Sequence, residues 1–205
     1  MPRAKGGTAQ PGNTMDWSGP VRPTDAMRKT FGDRFFYQLY FQTPGVAEHE
    51  LQKDIRRTLR MTLYSASGDS PARPPAGLPP ASSGFLDQMA DPEKLPPWLT
   101  EADLDFFTGE FQRSGFRGGL NWYRNIDRNW ELFGPWAGAR IQQPALFVAG
   151  DRDVVVAMAG AAIQGLDQAV PNLRKKVMLP GCGHWTQQER APEVNAEMIA
   201  FLKSL

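Results

Sequence analysis

The chain has 205 residues, 41% apolar and 22% charged, the balance of an ordinary water-soluble globular protein. Its 23 Lys and Arg against 22 Asp and Glu leave a formal net charge of +1, which excludes the one-sided basic surface that binds nucleic acid or an anionic membrane. A single cysteine, Cys182, excludes an internal disulfide and a cysteine-based metal site, in keeping with a reducing cytoplasm, and no apolar run reaches the length of a membrane span.

Residues 1–18 are rich in Gly, Pro and small polar residues and carry no apolar stretch after Arg3 and Lys5, so they read as a disordered or irregular terminus rather than a secretory signal. From Thr24 a helical pattern with Phe31, Phe35, Phe36, Leu39 and Tyr40 on one face runs to Pro44-Gly45. Leu51, Ile55, Leu59 and Leu63 then recur every four residues and define a second helix, with Glu48, Glu50, Lys53, Arg56 and Arg60 facing elsewhere. Between 65 and 97 Pro, Gly and Ser accumulate, a composition that cannot order itself independently and reads as a long surface excursion. Thr100, with Asp103 three residues on, opens a helix whose buried edge is Leu104, Phe107 and Phe111, and Gly118-Gly119 is expected to end it. The following helix, Leu120 to Phe133, would align Trp122, Ile126, Trp130 and Phe133 and leave Tyr123 on the shoulder of that stripe.

The pattern changes after residue 137. Pro144 to Ala149 is a continuous apolar run, the signature of a parallel strand covered on both faces, and Gly150 ends it. A crossover helix over Ala157 to Val170, a short buried strand over Lys175 to Leu179 and a helix over Pro192 to Leu205 follow, the last packing through Val194, Met198, Phe201 and Leu205. Asp151 and Asp153 therefore stand at the carboxyl edge of one strand. His184, in Pro180-Gly181-Cys182-Gly183-His184, stands at the same edge of the next, 31 residues beyond Asp153. An acid and a histidine brought together this way suit a base oriented by a carboxylate. Taken singly, His184 fits a surface loop equally well, and each Asp fits a cap or a turn.

Three separated stretches carry a resemblance to known proteins: Phe36-Tyr37-Gln38-Leu39-Tyr40-Phe41-Gln42-Thr43-Pro44-Gly45, Gly115-Phe116-Arg117-Gly118-Gly119-Leu120-Asn121-Trp122-Tyr123-Arg124, and Gly181-Cys182-Gly183-His184-Trp185-Thr186-Gln187. Together, in this order, they resemble soluble epoxide hydrolases of the α/β-hydrolase superfamily. The resemblance implies an α/β fold class: a partial α/β-hydrolase fold with a helical cap at 19–137, including the excursion at 65–97, followed at 138–205 by the last two strands and helices of the parallel sheet. It implies that His184 activates water and Asp153 orients it. Tyr37 and Tyr123 match the two cap tyrosines that hydrogen-bond the epoxide oxygen, and should converge on one cleft. A phenol with a pKa near 10 is neutral at working pH yet can donate to an oxygen that develops alkoxide charge.

The family's nucleophile, an aspartate in Gly-x-Asp-Trp-Gly, and its His-Gly-x-Pro oxyanion loop do not occur in the sequence. Asp16-Trp17 repeats the dipeptide without the strand before it or the helix after it. The expectation is thus a cap and carboxyl-terminal part that acts on a small-molecule epoxide only when an N-terminal partner fragment supplies the nucleophile, with no cofactor and no metal. The rival readings are a non-catalytic remnant acting as an interaction module and, among enzymes, a dehalogenase-like α/β hydrolase.

Overall fold

A computed structural model describes residues 20–71 and 77–205. The disordered or irregular stretch expected at 1–18, the Asp16-Trp17 dipeptide and part of the Pro-rich run lie outside the described residues. The chain divides into two compact units, one within Met1–Met61, Arg73–Met89 and Ala102–Ala137, the other within Thr62–Ala72, Ala90–Glu101 and Gly138–Leu205. Two pieces of the expected excursion, 65–71 and 90–97, thus group with the strands. Backbone contacts decide this: Ala66 accepts from His184 N at 2.9 Å, and Ser65 Oγ takes the N–H of Ala90 at 2.8 Å.

The first unit is helical. It contains α1 (Pro23–Phe31), α2 (Tyr37–Tyr40), α3 (Val46–Leu51), α4 (Ile55–Ser65) up to Met61, α5 (Glu101–Ser114) from Ala102, α6 (Arg117–Arg124) and α7 (Ile126–Leu132). The two long helices expected before residue 65 are each divided, at 32–36 and at 52–54, because short polar or glycine-containing breaks let the chain turn back on its core. Gly118-Gly119 does not end a helix but lies inside α6. The stop is Gly115, whose φ of +66° is a left-handed turn that favours glycine.

Two apolar clusters hold this unit together, one of Phe41, Ala47, Leu51 and Leu120, the other of Met27, Phe36 and Ile126. The aromatic stripe expected on the 120–133 helix is corrected by this packing. Asn125 divides that helix, Leu120 and Ile126 are buried, Tyr123 packs against both clusters, and Trp122 is 79% exposed. Asp127 of α7 accepts from Thr24 N at 3.0 Å and Thr24 Oγ1 at 2.7 Å, tying the start of α1 to α7. The described residues of the excursion that group with this unit, 77–89, are docked on it. Phe85 and Leu86 pack on the first cluster, and their N–H groups reach the Glu50 carboxylate at 3.0 and 2.9 Å.

The second unit contains β1 (Ala145–Gly150), α8 (Val154–Met158), α9 (Gly160–Gln164), α10 (Leu166–Ala169), β2 (Leu173–Leu179), α11 (Thr186–Glu189) and α12 (Ala191–Lys203). The strands pair in parallel, with Gly150 opposite Leu179. The single crossover helix expected over 157–170 is instead three short ones, broken at Ala159-Gly160 and Gly165, where glycine weakens helix propensity. Neither strand is covered on both faces. In β1 only Ala149 and Gly150 are buried, and in β2 only Leu179, because the described sheet has just two strands. On α12, Val194 packs with Leu179 and Cys182, whereas Met198 and Leu205, expected inside, are exposed. No helix among the described residues is long and apolar enough to cross a membrane.

Candidate active site

Parallel pairing in register means that the segments leaving β1 and β2 emerge at one end of the sheet, and both lead to titratable side chains. After Gly150 the chain turns into α8, whose N-cap is Asp153: its Oδ1 accepts from Val155 N at 2.8 Å. The other oxygen, Oδ2, lies 3.0 Å from His184 Nδ1. Asp151 points elsewhere, its Oδ1 taking the N–H of Gly181 at 2.8 Å, while Arg152 N donates to Cys182 O at 2.9 Å. These contacts stitch the two loops together on either side of the acid and the imidazole.

The loops approach so closely that side chains are excluded. A Cβ on Gly150 would stand 2.2 Å from Cys182 O, and one on Gly183 would stand 2.4 Å from both Gly68 N and Ser67 C. His184 is therefore held by backbone on two sides. Its N–H donates to Ala66 O, and the neighbouring Trp185 donates its indole N–H to Leu63 O at 2.8 Å and presents a ring edge to the imidazole at 4.9 Å.

With the Asp153 carboxylate accepting from Nδ1–H, the lone pair of the neutral imidazole is on Nε2, free to take a proton from water. The hydrogen bond from Asp153 raises the His184 pKa. Burial works against it, and the negative charges of Asp153 and Glu189 add to the rise. For Asp153, burial favours the neutral acid. It is outweighed by the hydrogen bonds from His184 and Val155 N, and the carboxyl sits below its usual range. The pair is thus biased toward imidazolium and carboxylate. Cys182 is fully buried, and burial pushes its thiol up to about 11, so it is an inert core group rather than a nucleophile.

In the helical unit, the structure brings Tyr37 and Tyr123 together although 86 positions separate them. Their rings meet edge to face at 5.7 Å and both pack against Phe41. Gln38, buried beside them, donates to the Tyr37 hydroxyl oxygen at 2.9 Å. Gln42 Nε2 ties the backbone carbonyls of Gln38 and Tyr123 at 2.8 and 3.0 Å. Burial raises the Tyr123 pKa and the Tyr37 charge adds to it, which keeps that phenol protonated. Arg124 locks the helix bearing Tyr123, pairing with both Glu48 oxygens at 2.7 and 2.8 Å and donating to Phe41 O at 2.9 Å.

Sequence reasoning passed over Gln38, Arg124 and Glu189. None of the three carried a usable signal: Glu189, an acid five residues after His184, is buried only through tertiary contact.

No protein-family model matches the chain. It is 43% identical over 187 residues to epoxide hydrolase A of Mycobacterium tuberculosis, covering 90% of this chain and 57% of that protein. Against epoxide hydrolase 1 of Siraitia grosvenorii the identity is 37%, with 89% and 57% covered. Among solved structures, epoxide hydrolase A from Mycobacterium thermoresistibile superposes with a TM-score of 0.82 at 46% identity, covering 91% of this chain and 58% of that one. An epoxide hydrolase from an endophytic Streptomyces gives 0.83 at 41%, with 89% and 56% covered. The chain thus spans a little over half the length of these four relatives.

Proposed function

Over the part of the α/β-hydrolase fold that it spans, the chain belongs to the epoxide hydrolases, and from that premise we propose that it carries the base and the oxygen donors for hydrolysis of an epoxide to a diol. Tyr37 and Tyr123 donate to the epoxide oxygen as a carboxylate nucleophile attacks a ring carbon. The C–O bond breaks, one phenol passes its proton to the leaving oxygen, and an ester forms. His184, oriented by Asp153, takes a proton from water, the resulting hydroxide cleaves the ester, and the proton returns to the phenolate, so that epoxide plus water gives diol. The observation that supports this reading most is the 3.0 Å contact of Asp153 with His184 Nδ1, which leaves Nε2 as the basic nitrogen.

The nucleophile is proposed to come from a polypeptide outside these 205 residues, since neither the Gly-x-Asp-Trp-Gly nor the His-Gly-x-Pro motif is in the sequence. Its lone buried cysteine suits a cytoplasmic setting. Turnover of styrene oxide tests the reading, with the chain assayed alone and co-expressed with a segment that carries both motifs. Diol formation is expected only in the second case, and His184→Ala should abolish it. Robust turnover by the chain alone, lost on His184→Ala and on Asp16→Ala, would place the nucleophile inside the chain. Complemented activity indifferent to His184 would refute the proposed roles.

A further inference from the structure

Glu189 is the least explained charged side chain of the second unit. It closes α11, is 9% exposed, and its carboxylate makes no ion pair among the described residues. Instead it accepts three backbone hydrogen bonds: Oε2 from Gly183 N and Gly68 N, each at 2.8 Å, and Oε1 from Trp185 N at 3.0 Å. Gly183 and Trp185 are the residues on either side of His184. The third donor belongs to the segment that also accepts from His184 N through Ala66 O.

We propose that Glu189 is the positioning residue of the base, its buried carboxylate clamping the peptide groups that flank His184 to the 66–68 strand of backbone so that the imidazole meets Asp153. A loop residue whose two neighbouring amides are fixed and whose own N–H is bonded has little freedom left except at its side chain, and Asp153 removes that. A buried carboxylate serves this purpose where an amide would not. Both of its oxygens accept, whereas a Gln would turn an N–H₂ toward at least one backbone N–H. The same negative charge acts on the imidazole. The charged groups about it are Asp153 and Glu189, while Asp151, Arg152 and Arg190 are engaged with backbone at Gly181, Ser70 and Pro180.

The inference rests on His184 being the base, but its test does not need epoxide turnover. The chain has two histidines, and the exposed His49 serves as internal reference for NMR titration of the imidazoles in the 205-residue protein. In Glu189→Gln the midpoint of His184 should fall while that of His49 stays. The amides of Gly68, Gly183 and Trp185 should exchange at least about tenfold faster. Glu189→Asp, which keeps the charge on a shorter arm, should restore much of the His184 midpoint with less of the amide protection. A folded Glu189→Gln protein with an unchanged His184 midpoint and unchanged exchange would overturn the proposal. If Glu189→Gln does not fold, the wild type decides. Slow exchange at the three amides supports the clamp, and exchange at open-loop rates overturns it. Absence of diol formation in the complemented assay would remove the proposed reaction and leave this result readable.

Discussion

Replacing Asp153 by Asn separates two jobs that one side chain performs. The Asn oxygen can still cap α8 through Val155 N, but its N–H₂ then faces the Nδ1–H of His184, a donor against a donor. A hydrogen bond to a charged group contributes about 1.5–3 kcal/mol. The His184 side chain is 41% exposed, so solvent screening reduces that to about 1 kcal/mol here. The pH dependence has two limbs. The raised His184 pKa gives stability that is complete below the ordinary histidine pKa of about 6.5 and is lost as pH rises through the folded value. The lowered Asp153 pKa gives stability that is complete above the ordinary value of about 3.9 and is lost as pH falls through the folded one. The wild type should therefore exceed Asp153→Asn most between about pH 4 and 6.5, by about 1 kcal/mol or about 3 °C in Tm, with the gap narrowing toward pH 9. Urea melts of both proteins at pH 5.5 and pH 9 measure it. A difference that is equal at both pH values, or larger at pH 9, would refute an ion-pair origin.

Gly183→Ala should destabilise by more than about 3 kcal/mol, because its Cβ would be driven into backbone at Gly68 and Ser67. Gly160→Ala, with open space around it, should be neutral or stabilising by up to about 1 kcal/mol, and paired thermal melts compare the two. Arg124→Met leaves the mostly buried Glu48 carboxylate unpaired and should cost about 3 kcal/mol. Arg124 holds the Glu48 pKa down to about 2, so the wild-type advantage should be complete above about pH 4.3 and shrink only as pH falls toward 2, which denaturation at pH 7, 4 and 2.5 will show. Tyr123→Phe should keep the fold and the edge-to-face contact with Tyr37 while lowering diol formation in the complemented assay by about 10²-fold or more. An unchanged rate would leave that hydroxyl with packing alone.

The strands and the meeting of Asp153 with His184 were legible because they follow from local pattern. An apolar run ended by Gly150, and a second strand ended before Gly181, suffice to place two loops at one edge. The helical unit was less legible. Residues 120–133 offer two aromatic stripes, and only the clusters around Phe41 and Met27 decide that Tyr123 turns inward and Trp122 outward. Breaks at Asn125, at 52–54 and at Gly160 lie inside otherwise good helical periodicity and are set by where the chain must turn. Glu189 and Glu50 were invisible in the same sense: each satisfies backbone N–H groups contributed by distant segments, and no spacing rule announces that.

The carboxylate of Glu189 and the N–H of Gly68 come from points 121 residues apart, so the seat of the histidine is the closing of a very long loop. The entropy of such a closure rises only logarithmically with its length, about 0.6 kcal/mol for each doubling. Moderate changes in the length of the intervening helical stretches would therefore change that closure term by less than one good hydrogen bond contributes. The helices within 102–137, which carry neither Asp153 nor His184, can be lengthened or trimmed over generations with little energetic consequence for the base. Selection is left free to reshape those helices while the histidine stays where it is.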